Sequence, residues 1–257
     1  MAHSWLSALA PWLLTPQTAL LLVGGFAVGI FSVIVGGGFF VSIPFFQFLF
    51  PSVSYGAIVG NLKVGSFFRG IGSTITNRKE IDWLGHLLWS VPLVIGTVLG
   101  VMVIAHLDQR WMLPAIVAAI TLSELAPWLA TRITKGSFQA ASLATGVYAG
   151  FLGAGIGIIL VALFRLQHPE VDRIAHVKIQ ARFIEWLIGI VAVIAHFFHG
   201  NLILALWLVW SVGSFVGGLA GGILLAKLGA MPGNIQKSVL RLAYLVAIAG
   251  ALLPFLN

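Results

Sequence analysis

Charge is scarce in this chain. Lys, Arg, Asp and Glu make up 8% of its 257 residues, against 60% for the hydrophobic types, where a soluble domain carries about a quarter charged residues. So little charge excludes a water-soluble globular protein and leaves an all-α polytopic membrane protein, with the lipid bilayer as its solvent. Cysteine is absent, which excludes disulfides and thiolate metal sites. Acidic residues number 7 against 14 Lys and Arg, a formal net charge of +7. In a membrane chain that excess sets orientation, so no nucleic-acid partner is expected. There is no Walker A sequence, and Gly153-Ala154-Gly155-Ile156-Gly157 lacks the strand–turn–helix setting of a dinucleotide site. His196 and His199 sit at helical spacing but have no acidic or cysteine companion, so no metal and no cofactor is expected. No nucleophile–base pair or paired carboxylates lie within the apolar spans, which argues against an enzyme. Met1 to Thr15 contain no Lys or Arg; lacking a basic n-region, this stretch is expected to stay in the mature protein.

Glycine, by contrast, is abundant and concentrated. Gly36-Gly37-Gly38 interrupt an apolar run extending from Ala19 to Phe50, longer than the roughly 20 residues one straight span needs. Each Gly costs about 1 kcal/mol relative to Ala in a helix interior, so the triplet predicts a break. A broken helix leaves amides and carbonyls unpaired, which lipid does not tolerate but a protein-lined cavity does. A helix restarting at Phe39 would aim free N–H groups and its positive dipole end into that cavity, as an anion site requires.

The remaining apolar spans run at about Ser54–Thr76, Trp83–His106, Trp111–Ala130, Phe138–Phe164 (broken), Ile174–Phe198, Leu202–Ala226 and Val239–Phe255. The second half restates the first. Phe31 through Gly38 aligns with Tyr148 through Gly155, Pro51 with Pro169, Ala57 with Ala175, and Gly96-xxx-Gly100 with Gly217-xxx-Gly221. Two repeats follow, residues 1–133 and 134–257, of about four apolar segments each.

Counting loop cations tests the topology. If all eight segments cross, Arg78, Lys79, Arg132 and Lys135 oppose Arg110, Arg165, Arg173, Lys227 and Lys237, and no orientation emerges. If both glycine-broken segments are re-entrant, every one of these except Arg110 shares a face. That face is then cytoplasmic, both termini are outside, and three true crossings per repeat make the repeats inverted. Inverted repeats with broken helices meeting at the midplane are a recurring design of secondary transporters.

Lys63 lies about nine residues into its helix, roughly 13 Å deep, and Arg182 lies at a comparable depth in the second repeat. Ionisable groups at mid-membrane are functional candidates by default. Lys178, Arg182, Glu185 and Gly189 share a helical face, and Asn61 and Gln180 add neutral donors. The candidate anion ligands are therefore Gly36, Gly37, Gly38, Phe39, Asn61, Lys63, Gly153, Gly155, Gln180 and Arg182. A structural Arg182–Glu185 ion pair competes with that role, although Lys63 has no acid at i±3 or i±4. Arg69, about a third of a turn from Lys63, is expected to snorkel toward the inner face. Glu124 reads as the other buried acid, either a proton-coupling group or a protonated carboxyl bonded to backbone.

Gly36-Gly37-Gly38 followed by Pro44, the later Asn61, the Glu80-Ile81-Asp82-Trp83 step and the repetition of the plan resemble the TauE/SafE family of sulfite and organosulfonate permeases. The resemblance covers about Gln17 to Leu253; the second repeat departs from it with Ala154 inside its glycine cluster and Val161 where the first has Pro44. It implies a multi-pass protein of the cytoplasmic membrane that moves a small sulfur-containing anion (sulfite, a sulfonate or a sulfinate) without ATP, in either direction. The expected activity is secondary transport by alternating access. An anion channel with the same site and an assembly subunit stand as alternatives, and the oligomer is open, a homodimer among the options.

Overall fold

The computed structural model describes residues 15–82, 85–86, 90–134, 136–168, 171, 174–228 and 232–252. These residues form ten α-helices and no strand: α1 (Pro16–Ile34), α2 (Phe39–Leu49), α3 (Tyr55–Asn77), α4 (Val91–Ala105), α5 (Met112–Ala130), α6 (Phe138–Phe151), α7 (Ile156–Gln167), α8 (Ile174–Phe198), α9 (Leu204–Leu228) and α10 (Gly233–Leu252). α1, α8 and α9 are long and apolar enough to cross a bilayer. Thr15 caps α1, its hydroxyl accepting from Thr18 N at 3.3 Å ahead of Pro16 in the first turn. Ser54 caps α3 in the same way. Two expected boundaries shift: α10 begins at Gly233 rather than Val239, and α4 is continuous from Val91. Gly85 and His86 are helical ahead of it. Residues 83–84, 87–89 and 253–255, parts of two expected spans, lie outside the described residues, as do Lys135, Pro169 and Arg173.

Both glycine clusters break the helix where expected. α1 ends at Ile34 and α2 starts at Phe39; α6 ends at Phe151 and α7 starts at Ile156. The two breaks use different residues. Gly36 and Gly37 take positive φ in the first, Gly153 and Gly155 in the second. Ala154 stands where Gly37 would, and a Cβ makes left-handed backbone costly, so the second left-handed position moves on to Gly155.

Each break is the tip of a hairpin. Gly38 lies against Ser32 and Val28, and Gly24 lies against Phe45, so α2 runs back along α1. α7 likewise returns Arg165 to the neighbourhood of Trp128 and Ile174, where α5 ends and α8 begins. The helices that hold the hairpins come from distant sequence. Gly213, Gly217 and Gly221 of α9 meet Leu22, Phe26 and Ile30 of α1, one turn apart along a parallel ladder. Gly96 and Gly100 of α4 meet Leu143 and Val147 of α6, and Gly146 and Gly150 answer with Leu93 and Thr97. Lipid supplies no hydrophobic force between such helices, so close backbone approach over small residues is what binds them. On α4 the buried set is Leu93, Gly96, Thr97, Gly100, Val101 and Ile104, while Ile95, Leu99, Met102 and Val103 face outward. Large apolar residues thus lie on both faces, and Gly96, Thr97 and Gly100 mark the buried one.

Candidate functional site

The long helices α3 and α8 cross at the centre, bringing together most of the buried charge. On α8 the residues Lys178, Arg182, Glu185, Gly189, Ala192 and His196 recur every three or four positions, one stripe of the helix. On α3 the matching stripe is Lys63, Ser66 and Arg69. Glu185 bridges two cations: its Oε1 accepts from Arg69 Nη2 at 2.9 Å and its Oε2 from Arg182 Nη1. Arg69 is therefore buried and paired and does not snorkel, because Glu185 on the neighbouring helix lies within reach.

The lysines close the hairpins crosswise. Lys63 Nζ donates to the carbonyl of Ala149 and, at 3.5 Å, to that of Leu152, and stands 4.7 Å from the centre of the Phe39 ring. It caps the C-terminal carbonyls of α6, where the dipole favours a cation. Lys178 Nζ donates at 3.0 Å to the carbonyl of Ile34, the last residue of α1. Each tip is thus held by a lysine from the other half of the chain.

Three cavities surround this cluster. The inner one is lined by Phe39, Lys63, Ser66, Gly153, Glu185 and Gly189, among others, and its free volume of about 20 Å³ is room for one water and not for a sulfonate. Ser66 Oγ, shut off from solvent, has no hydrogen-bond partner among the described residues. A second, smaller cavity lies between Arg182 and the polar end of α3 at Ser73, Thr74 and Asn77. The third, about 480 Å³, runs from Arg182, Lys178, Val35 and Gly157 outward past Glu124, Trp128 and Ile158 to Arg165 and Lys237. Among the described residues, four cations face it with one carboxylate. Arg182 forms its floor, packed over Gly36 and Gly157: a Cβ on Gly157 would lie 2.9 Å from the guanidinium, and one on Gly36 would lie 3.5 Å from Nη2. Glu185 is the only hydrogen-bond partner of Arg182 among the described residues, leaving most of its five N–H donors for the two cavities it lines. The start of α7 at Gly157 adds a helix N-terminus on the same floor.

The residues expected at the site separate into two groups. Gly36, Phe39, Lys63, Gly153 and Arg182 meet around the α3–α8 crossing. Gly37 packs on Leu240 and Phe40, Gly38 on Ser32, and Gly155 on Ser123, so these three seat the hairpin tips. Asn61 donates to the carbonyls of Ala57 at 2.6 Å and Asn201 at 3.2 Å and accepts from Ile203 N at 3.0 Å, pinning the α8–α9 connection. Gln180 faces away from Arg182; its amide joins Glu80, Asp82 and His86 to His176 on its own helix. Glu124 is exposed on the cavity wall, 3.9 Å from Arg241, and is not a buried acid. Arg165, Lys237, Ser66 and the Arg69 contact escaped the sequence reading. Of these, Ser66 and Arg69 were signalled by their spacing from Lys63, whereas Arg165 and Lys237 read as loop cations. His196 is buried against Asn201 while His199 is exposed beside His106, so the two do not converge.

No curated protein and no solved structure gives a significant match to the chain. The family of transporters described as sulfite exporter TauE/SafE has a model that matches residues 21–252. With nearly its whole length matched, this membrane protein belongs to the TauE/SafE family.

Proposed function

We propose that this chain is a secondary transporter that carries a small sulfur-containing anion across the cytoplasmic membrane by alternating access. The carrying observation is the 480 Å³ cavity with Arg182 and Lys178 on its floor, Arg165 and Lys237 toward its other end, and two glycine-broken backbones beside the guanidinium. Sulfite and sulfonates spread charge over oxygens that accept several hydrogen bonds at once. Guanidinium, ammonium and helix-start amides match that demand. The apolar wall of Trp128, Ile158, Val161 and Leu240 would accommodate a short organic tail.

In this reading residues 1–133 and 134–257 are inverted repeats. The pairings α1–α9 and α4–α6, which exchange when corresponding helices of the halves are swapped, support it. The hairpins enter from opposite faces, and the loop cations put Arg165 and Lys237 on the cytoplasmic side. The cavity then faces the cytoplasm, and the narrow inner cavity closes the route outward. Such a closed route favours a gated carrier over an open pore. Purified protein in liposomes should show saturable uptake of labelled sulfite or a small alkanesulfonate, accelerated by the same anion trapped inside. Flux that rises linearly with concentration and ignores the trapped anion would favour a channel; binding of no sulfur anion would overturn the reading.

A further inference from the structure

We infer that Glu185 is a built-in stand-in for the substrate: its carboxylate occupies Arg182 in the empty carrier, and the incoming anion displaces it onto Arg69. The inference rests on the anion-transport reading above and assigns the step that opens the passage from the outer to the inner cavity.

The geometry makes this pair a partition. Arg182 lines the outer cavity and Glu185 the inner one, and neither residue lines both. The bond between them, Nη1 to Oε2, is therefore the wall that an anion resting on Arg182 has to pass. A carboxylate and a sulfonate or sulfite offer the guanidinium the same kind of ligand, planar or pyramidal oxygens sharing negative charge, and so they compete for it. What makes displacement feasible is the second arginine. Arg69 holds the other oxygen, Oε1, at 2.9 Å, so Glu185 is not left as an unpaired buried charge when Arg182 turns to the substrate. Such abandonment would be strongly destabilising. Room for the released carboxylate is already present beside Ser66 Oγ and Gly189, where a Cβ would meet nothing within 4 Å.

Other charged and titratable groups fit the same account. Lys63, on α3, faces the inner cavity and would receive the anion next, once departure of the carboxylate has widened that water-sized space. Lys178, one turn before Arg182, is bonded to the tip of the first hairpin, so an anion drawn to both cations would loosen that tip. His196 lies at the far end of the same α8 stripe, beyond Ala192.

The two partners of Glu185 give the proposal opposite signs. Glu185→Gln removes the competitor from Arg182 and should tighten binding of sulfite or methanesulfonate about tenfold. Arg69→Gln removes the acceptor for the displaced carboxylate, leaves Glu185 on Arg182 alone, and should weaken binding by a similar factor. Binding would be measured by calorimetry on purified, monodisperse protein with sulfite and methanesulfonate as probes, beside thermal unfolding. A merely structural ion triad predicts lowered stability in both variants, with anion affinity unchanged or reduced in both; either result overturns the proposal. Should Glu185→Gln fail to purify, Glu185→Asp, which shortens the reach to Arg182, is expected to tighten binding in the same direction. Loss of binding in Glu185→Asp likewise overturns the proposal. If the unsubstituted protein binds neither probe, the transport reading itself has failed, and the two failures are thereby distinct.

Discussion

Lys63 shows how far a single residue can be read. Its depth and its lack of a helical acid partner were visible in the sequence, and its burial follows. What a linear sequence does not carry is the partner across space: two backbone carbonyls, freed because α6 stops at a glycine cluster. Glu185 and Arg69 were hidden in the same way, 116 positions apart. Gln180 and Asn61 misled because an amide at mid-helix looks the same whether it awaits a ligand or pins a loop. On the proposed route, Lys63 would act after the anion has left Arg182. Lys63→Gln should leave equilibrium binding of sulfite within about twofold and cut counterflow by tenfold or more. The lost charge-assisted bond to the hairpin tip is worth about 1.5–3 kcal/mol, so the melting temperature is expected to fall as well. A Lys63→Gln protein that binds ten- to a hundredfold more weakly would instead make Lys63 a direct ligand of the resting site.

At the level of the helix, glycine carries most of the information. The breaks at Gly36–Gly38 and Gly153–Gly155 were legible because clustered glycines weaken a continuous helix whatever packs against it. The ends of α8 were legible too, since polar loops bound it on both sides. The ladders were half legible: Gly96-xxx-Gly100 and Gly217-xxx-Gly221 stand out as a repeat, but not as the contact surfaces for α6 and α1. Spacing marks a small-residue face without naming the helix that comes to it. A pair of substitutions separates the roles. Gly100→Ala would drive a methyl group into the backbone of α6 at Val147 and is expected to abolish monodisperse protein. Gly189→Ala meets nothing within 4 Å and gains up to about 1 kcal/mol of helix propensity. It should raise thermal stability while narrowing the inner cavity, so transport falls even as folding improves.

For the molecule as a whole, helical membrane character followed from scarce charge, and the family from the ordered glycine motifs. Sidedness is the part that composition addresses and contacts do not. The natural absence of cysteine makes it simple to test, because every labelled thiol is an introduced one. Lys79 and Asp108 are both exposed, on connections at opposite ends of α4. In intact cells an impermeant thiol reagent should label Asp108→Cys and spare Lys79→Cys until the membrane is permeabilised. The reverse pattern would turn the protein over and place the cationic cavity outside.

The crossed seams separate the covalent order of the chain from its mechanical order. α1 leans on α9, α4 on α6, α2 on α10, and α3 on α8 and α9, while contacts within residues 1–133 alone are sparse. Neither half, made by itself, has a surface on which to lay its hairpin. Cutting the chain in the connection between Thr131 and Ser137 should therefore cost little, provided both pieces are made together. Co-expressed, 1–133 and 134–257 are expected to co-purify and transport; expressed singly, each should be degraded. A stable, monodisperse half would mean that the interlock is dispensable. On the expected outcome, the peptide bond joining the halves is a tether, and the folding unit is the pair.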